Sequence, residues 1–129
     1  MPIQTERFAR GIYCHHWKGH VTADEVVHAF EMEKKLGDAD HCNKYIVILD
    51  GEETRTIPFN LAKLSGAFSG DELITLVYKA PSIGQKLGEI IGAMVKLPFE
   101  FYDDWDETLA RAHELIELNE AIVFRSKSA

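Results

Sequence analysis

Three groupings of residues in this chain have the types that chemistry needs. The first is acidic: Asp50, Glu52 and Glu53 follow one apolar run, and Asp103 and Asp104 follow a second, shorter one. Carboxylates gathered at the ends of neighbouring strands can move protons or hold Mg2+. A simpler account makes Asp104 a helix cap and the rest a solvated loop. A catalytic site also needs a nucleophile or an electrophile. None can be named here, so no residue is assigned a catalytic role. The second grouping is the metal-ligating set Cys14, His15, His16, His20, His28, His41, Cys42 and His113. Adjacent residues of a strand point to opposite faces, so His15 and His16 cannot share one ion. No spacing matches a zinc motif, and neither a metal nor a cofactor is expected. The third is Ser82 with the amides of Ile83 and Gly84, near Lys79 and Lys86. A helix N-terminus of this kind suits an anion, but a capping box explains the same residues. GxGxxG, Walker A and GxSxG patterns are absent.

Composition narrows the classes further. A chain of 129 residues with 46% hydrophobic and 27% charged residues suits one domain with a sizeable core, so residues 1–129 are expected to form a single domain. The formal net charge of −7, from 14 basic and 21 acidic residues, opposes binding to nucleic acid or to an anionic membrane surface. No apolar stretch reaches transmembrane length. The opening MPIQTERFAR lacks the features of a signal peptide, and Cys14 and Cys42 form no CxxC pair. A cytoplasmic protein with reduced thiols is the expectation.

The elements that must position these residues can be read from periodicity. Lys44–Gly51 (KYIVILDG) holds the unbroken apolar run Tyr45–Leu49, which predicts a central strand buried on both faces. It ends at Asp50-Gly51, with Glu52–Thr56 expected as a polar loop. Upstream, Ile3–Phe8 and Gly11–Lys18 predict two strands, the first an antiparallel edge, joined by a turn at Arg10-Gly11 and stopped at Gly19. Thr22 and Glu25 form a capping box for a helix that presents Ala23, Val26, Val27 and Phe30 and ends at Gly37. Downstream, Pro58 suits the first turn of a helix with Leu61, Leu64 and Phe68 inward, and Leu73–Tyr78 is a second buried strand. Ser82–Gln85 reads as the cap of a third helix with a core stripe of Ile83, Leu87, Ile90, Ile91, Met94 and Val95, closed by Pro98. Phe99–Tyr102 is a short strand. Asp104 caps a last helix with Leu109, Ala112 and Ile116 inward. Ala121–Phe124 fits either a terminal strand or a tail. The order ββαβαβαβα, with right-handed crossovers, predicts an α/β fold with a mostly parallel sheet of four or five strands. The winding need not reverse, so a switch-point crevice need not form and helices can crowd one face.

Over residues 8–118 this pattern resembles the STAS, or SpoIIAA-like, family. The resemblance is carried by WKGHVTADEV, by the strand YIVILDG, and by the strand–helix–strand–helix run from ITLVYKAPSIGQ to ARAHELI. It is closest in kind to stand-alone bacterial STAS-like proteins of unassigned role. It implies a single STAS-like domain built from successive βα units. Anti-sigma-factor antagonists of this family carry a phosphorylatable Ser directly after the strand-end Asp. Asp50 matches that Asp, but Gly51 occupies the Ser position; Thr54 and Thr56 lie in the same loop without the motif.

Three functions stay in view. The leading one is a non-enzymatic regulatory module that binds a protein partner or itself, as a homodimer. The alternative is a binder of a small apolar or lipid-like ligand between the third helix and the sheet. The third is a small hydrolase using loop carboxylates. Candidate ligand- or partner-binding residues are Asp50, Gly51, Glu52 and Thr54 on the loop, and Lys79, Ser82, Gly84 and Gly88 around the head of the third helix. Gly84, Gly88 and Gly92 recur along one helical face, which predicts close approach by a neighbouring backbone, a twin helix or a slender ligand.

Overall fold

The computed structural model describes residues 3–124. Strands β1 (Ile3–Ala9), β2 (Ile12–His20), β3 (Tyr45–Thr56), β4 (Glu72–Tyr78) and β5 (Phe99–Tyr102) form one sheet in the order β1-β2-β3-β4-β5. β1 is antiparallel to β2, and the other three pairings are parallel. Helices α1 (Ala23–Ala39), α2 (Leu61–Ala67) and α3 (Ser82–Val95) connect the parallel strands, and α4 (Trp105–Leu118) follows β5. Sheet order equals chain order, so three crossovers of one hand place α1, α2 and α3 on the same face. α4 covers the other.

Period-two alternation divides the core. Ile12, Cys14, Ile46, Ile48, Ile74 and Leu76 pack against Ala112 and Leu115 of α4. On the opposite face Val26, Ala29 and Phe30 of α1, Leu64 of α2 and Ile91 of α3 form a second cluster. Ile46, Val47 and Ile48 are fully buried, as the unbroken apolar run requires. Each such side chain contributes roughly 1.5–3 kcal/mol. Two caps hold as expected: Thr22 Oγ1 accepts from the Glu25 amide at 3.3 Å while Glu25 Oε1 accepts from the Thr22 amide at 2.9 Å, and Asp104 Oδ1 accepts from the Glu107 amide at 2.9 Å.

Several boundaries differ from the sequence expectation, each for a local reason. Gly19 does not stop β2, and Glu52–Thr56 is not a loop. β2 continues to His20 and pairs Lys18 with Glu53, Gly19 with Thr54 and His20 with Thr56, so the polar segment extends β3. Gly37 does not end α1. It lies inside the helix, where an added Cβ would fall 2.8 Å from the Tyr45 ring; its smallness serves packing. Pro58 precedes α2, whose cap is Asn60 accepting from the Lys63 amide at 3.1 Å. Ser82 is not the cap of α3: Pro81 holds that position with no side-chain bond. The helix ends before Pro98, with Lys96 in the left-handed conformation at φ 56. Residues Glu120–Val123 form a helical turn, α5, after which Phe124 bridges to Cys42.

The largest correction concerns the buried face of α3. Gly88, Ile91 and Gly92 face inward. Ile83, Ile90 and Met94 are exposed by 53%, 49% and 55%. The sheet beneath α3 presents the rings of Phe99 and Phe101, which already fill the space that larger side chains would occupy. An added Cβ on Gly88 would fall 3.0 Å from Phe101 and 3.2 Å from Phe99. Gly88 and Gly92 are therefore buried within the chain.

Candidate functional site

The sheet's C-terminal edge carries different chemistry on its two faces. On the α1–α3 face an apolar pocket of about 80 Å3 opens between α3 and the sheet. Trp17, Leu49 and Val77 supply strand residues, Phe30 and Leu64 close one side, and Gly84, Leu87 and Gly88 form the α3 wall. Small residues on α3 leave this space: around Gly84 an added Cβ would make ordinary contacts, at 3.4–3.5 Å, with Pro81 and Ile57. The Trp17 Nε1 and Thr54 Oγ1 atoms are buried and find no hydrogen-bond partner among the described residues. Both residues line the pocket. A buried indole N–H or hydroxyl left without a partner costs about 1–3 kcal/mol; neither atom is exposed on the pocket's surface.

Thr54 reaches the pocket through an irregularity in β3. Between the pairs His16–Asp50 and Lys18–Glu53, β2 advances two residues and β3 three. The extra residue is a bulge at Gly51–Glu52, opposite Trp17, and it inverts the in–out alternation at residues 53 and 54. Without it Thr54 would share the Asp50 face. Gly51 also needs to be small, because its Cβ would sit 3.2 Å from the Lys79 carbonyl oxygen and 3.3 Å from that of Tyr78.

On the α4 face, His16 bridges two carboxylates. Its Nδ1 is 2.7 Å from Asp50 Oδ2 and its Nε2 2.8 Å from Glu6 Oε2. Burial pulls the His16 pKa down, but the hydrogen bonds and charges of Asp50 and Glu6 together outweigh it and leave it raised. Phe8 and Trp105 flank the ring. Cys14, 3.9 Å from His16 Nδ1, is fully buried, and burial first, then Asp50 and Glu6, push its pKa up. A buried neutral thiol is a poor nucleophile.

The predicted site residues thus separate. Gly51, Thr54, Gly84 and Gly88 meet at the pocket. Asp50 turns to the opposite face. Glu52 and Lys79 form an exposed ion pair at 3.6 Å, and Ser82 is exposed on the first turn of α3. Asp104 caps α4 and is not joined to Asp50 in an acidic centre. His15 and His16 do face opposite ways, and among the described residues no group of three His, Cys, Asp or Glu side chains is arranged to hold a metal ion. Sequence reasoning missed Trp17, although its place two residues after buried His15 puts it on the same strand face. It also missed the pairing of His16 with Asp50, which depends on strand register.

No family model matches the sequence, and no curated protein matches it. Solved structures do. An uncharacterized DUF3478-family protein with a SpoIIAA-like fold from Shewanella loihica PV-4 superposes with a TM-score of 0.59 at 12% identity, over 85% of this chain and 91% of that one. The Bacillus cell fate determinant SpoIIAA, in its phosphorylated form, superposes with a TM-score of 0.55 at 10% identity, over 84% of this chain and 97% of that one. At these identities the likeness speaks for fold alone: the chain has a SpoIIAA-like fold.

Proposed function

We propose that the chain is a single, non-enzymatic STAS-like module, cytoplasmic, whose working part is the pocket between α3 and the sheet, and that it binds a small apolar ligand there. The observation that carries this reading is an apolar pocket of about 80 Å3 between the sheet and an α3 wall that includes Gly84 and Gly88. Pockets for small molecules are lined mostly by apolar side chains. Gly51 at the position of the family's phosphorylatable Ser supports a module that works without a phospho-switch. Native mass spectrometry of freshly purified protein tests the reading. A retained small-molecule mass, lost on organic extraction, is expected. A bare chain mass, together with no melting shift from any apolar additive, overturns it.

A second reading, binding of a protein partner or a second copy, is favoured by the exposed row Ile83, Ile90 and Met94 on α3. Exposed apolar rows of this kind mark interaction surfaces more often than isolated residues do. A dimer in sedimentation that becomes a monomer on Ile90→Asp supports self-association. A monomer at all concentrations removes it. Among the described residues no helix is long and apolar enough to cross a membrane.

A further inference from the structure

We infer that α3 pairs with α3 of a second copy of this chain, antiparallel about a two-fold axis, with Lys86 of each copy facing Glu89 of the other. This rests on the second reading above, self-association through the exposed row, and gives it a geometry. Three observations carry it. The first is the row itself. Ile83, Ile90 and Met94 are all exposed. At about 3.6 residues per turn they fall in one narrow stripe, turned away from the buried Gly88, Ile91 and Gly92.

The second observation is charge. Within Ser82–Val95 the charged side chains are Lys86 and Glu89 alone, so α3 is neutral in a chain of net charge −7. α1 and α4 are both acidic, and copies that met through them would repel. α3 offers an apolar row on a helix without net charge.

The third observation is register. Lys86 and Glu89 are exposed and flank the row on the same side. Neither takes part in an ion pair or hydrogen bond among the described residues. A two-fold axis perpendicular to both helices runs them in opposite directions and sets like flank against like flank. When Ile83 is level with Ile90 of the second copy, Lys86 is level with that copy's Leu87, only about 3 Å along the axis from its Glu89. The same operation forms the reciprocal pair. The apolar row then supplies the attraction, and the two ion pairs fix the register. Exposed ion pairs contribute little by themselves, but like charges in their place oppose the contact.

The test uses the full-length chain in sedimentation velocity and native mass spectrometry, at up to millimolar concentration. Wild type is expected to dimerise. Lys86→Glu and Glu89→Lys, both at exposed positions, are each expected to weaken the dimer at least tenfold. An equimolar mixture of the two variants is expected to form a heterodimer as tight as wild type, because opposite charges then face each other at both sites. The double variant Lys86→Glu/Glu89→Lys is expected to regain the homodimer. Dimers of either single variant as tight as wild type, or a mixture with no more dimer than its components, overturn the inference and leave self-association standing. A wild-type chain that stays monomeric throughout, whatever else that face binds, lipid vesicles included, overturns both.

Discussion

His15 Nε2 lies 2.7 Å from Glu33 Oε1, and neither side chain is exposed to solvent. The His15 Nδ1 is 2.9 Å from Thr5 Oγ1, and the ring packs on Phe30 with centroids 5.0 Å apart. This polar pair therefore ties β1, β2 and α1 together directly behind the pocket wall to which Phe30 belongs. Burial and then the Glu72 charge, opposed by the Tyr45 hydroxyl, push the Glu33 pKa well above its usual range. Burial and then His16 hold that of His15 down to about 3. Both shifts favour the uncharged form of each partner, the arrangement in which a protonated Glu33 carboxyl donates to His15 Nε2.

The two groups give opposite pH dependences. A carboxyl group whose folded pKa is raised contributes stability that is complete below the unfolded value, near 4.5, and is lost as pH rises towards the folded pKa. His15, with a lowered pKa, works the other way: its contribution is complete above 6.5 and is lost on acidification towards about 3. Glu33→Gln keeps the donor to His15 and removes only the first effect. The variant should gain on wild type as pH rises, by up to about 1.4 kcal/mol per pH unit until Glu33 ionises. Melting curves at pH 5, 7 and 9 measure it. A loss of about 3–5 kcal/mol at every pH would show an ionised pair instead.

The α3 glycines should rank by what stands opposite them. At Gly92 an added Cβ falls 2.8 Å from the Leu97 carbonyl oxygen, which is backbone and cannot turn aside. At Gly88 it meets the edges of two aromatic rings. Gly92→Ala should therefore destabilise more than Gly88→Ala, and Gly88→Leu should cost about 1–3 kcal/mol through overpacking. Urea unfolding of the three variants checks the order. Wild-type stability for Gly88→Leu would show that the face is not packed.

Placing a serine at position 51 should not create a phospho-switch. The Cβ of Gly51→Ser would press on the Tyr78 and Lys79 carbonyl oxygens at 3.3 and 3.2 Å, at a cost of about 1 kcal/mol or more. In the wild-type chain the Thr54 hydroxyl is buried, so a kinase should leave it unmodified. Phosphopeptide mapping after kinase treatment decides; phosphate on Thr54 or Thr56 with changed partner binding would contradict the expectation.

His16 should titrate above 6.5 and lose part of that elevation in Asp50→Asn and in Glu6→Gln, since each carboxylate favours the imidazolium. The stabilisation it contributes is present below 6.5 and disappears as pH rises through the folded value. Histidine ring NMR titration gives the pKa directly. An unchanged value in both variants would mean the carboxylates do not govern it.

What the sequence determined by itself is everything that local periodicity encodes. The run Tyr45–Leu49 needed a strand covered on both sides, Thr22 and Asp104 announced two helix starts, and successive right-handed βα units pointed to a mostly parallel sheet of four or five strands whose helices can crowd one face. Gly84, Gly88 and Gly92 were legible as a face where something comes close. Tertiary structure decided the rest, because it depends on partners distant in the chain. The length of β3 is set by β2, which supplies backbone groups for Glu53, Thr54 and Thr56. The bulge opposite Trp17 then reverses the side-chain parity and turns Thr54 into the pocket, an inversion that only a register between two strands can create. The inward face of α3 was decided by the rings of Phe99 and Phe101, which leave room for no more than glycine at positions 88 and 92. Glu33 is buried because His15, 18 residues earlier, waits beneath it.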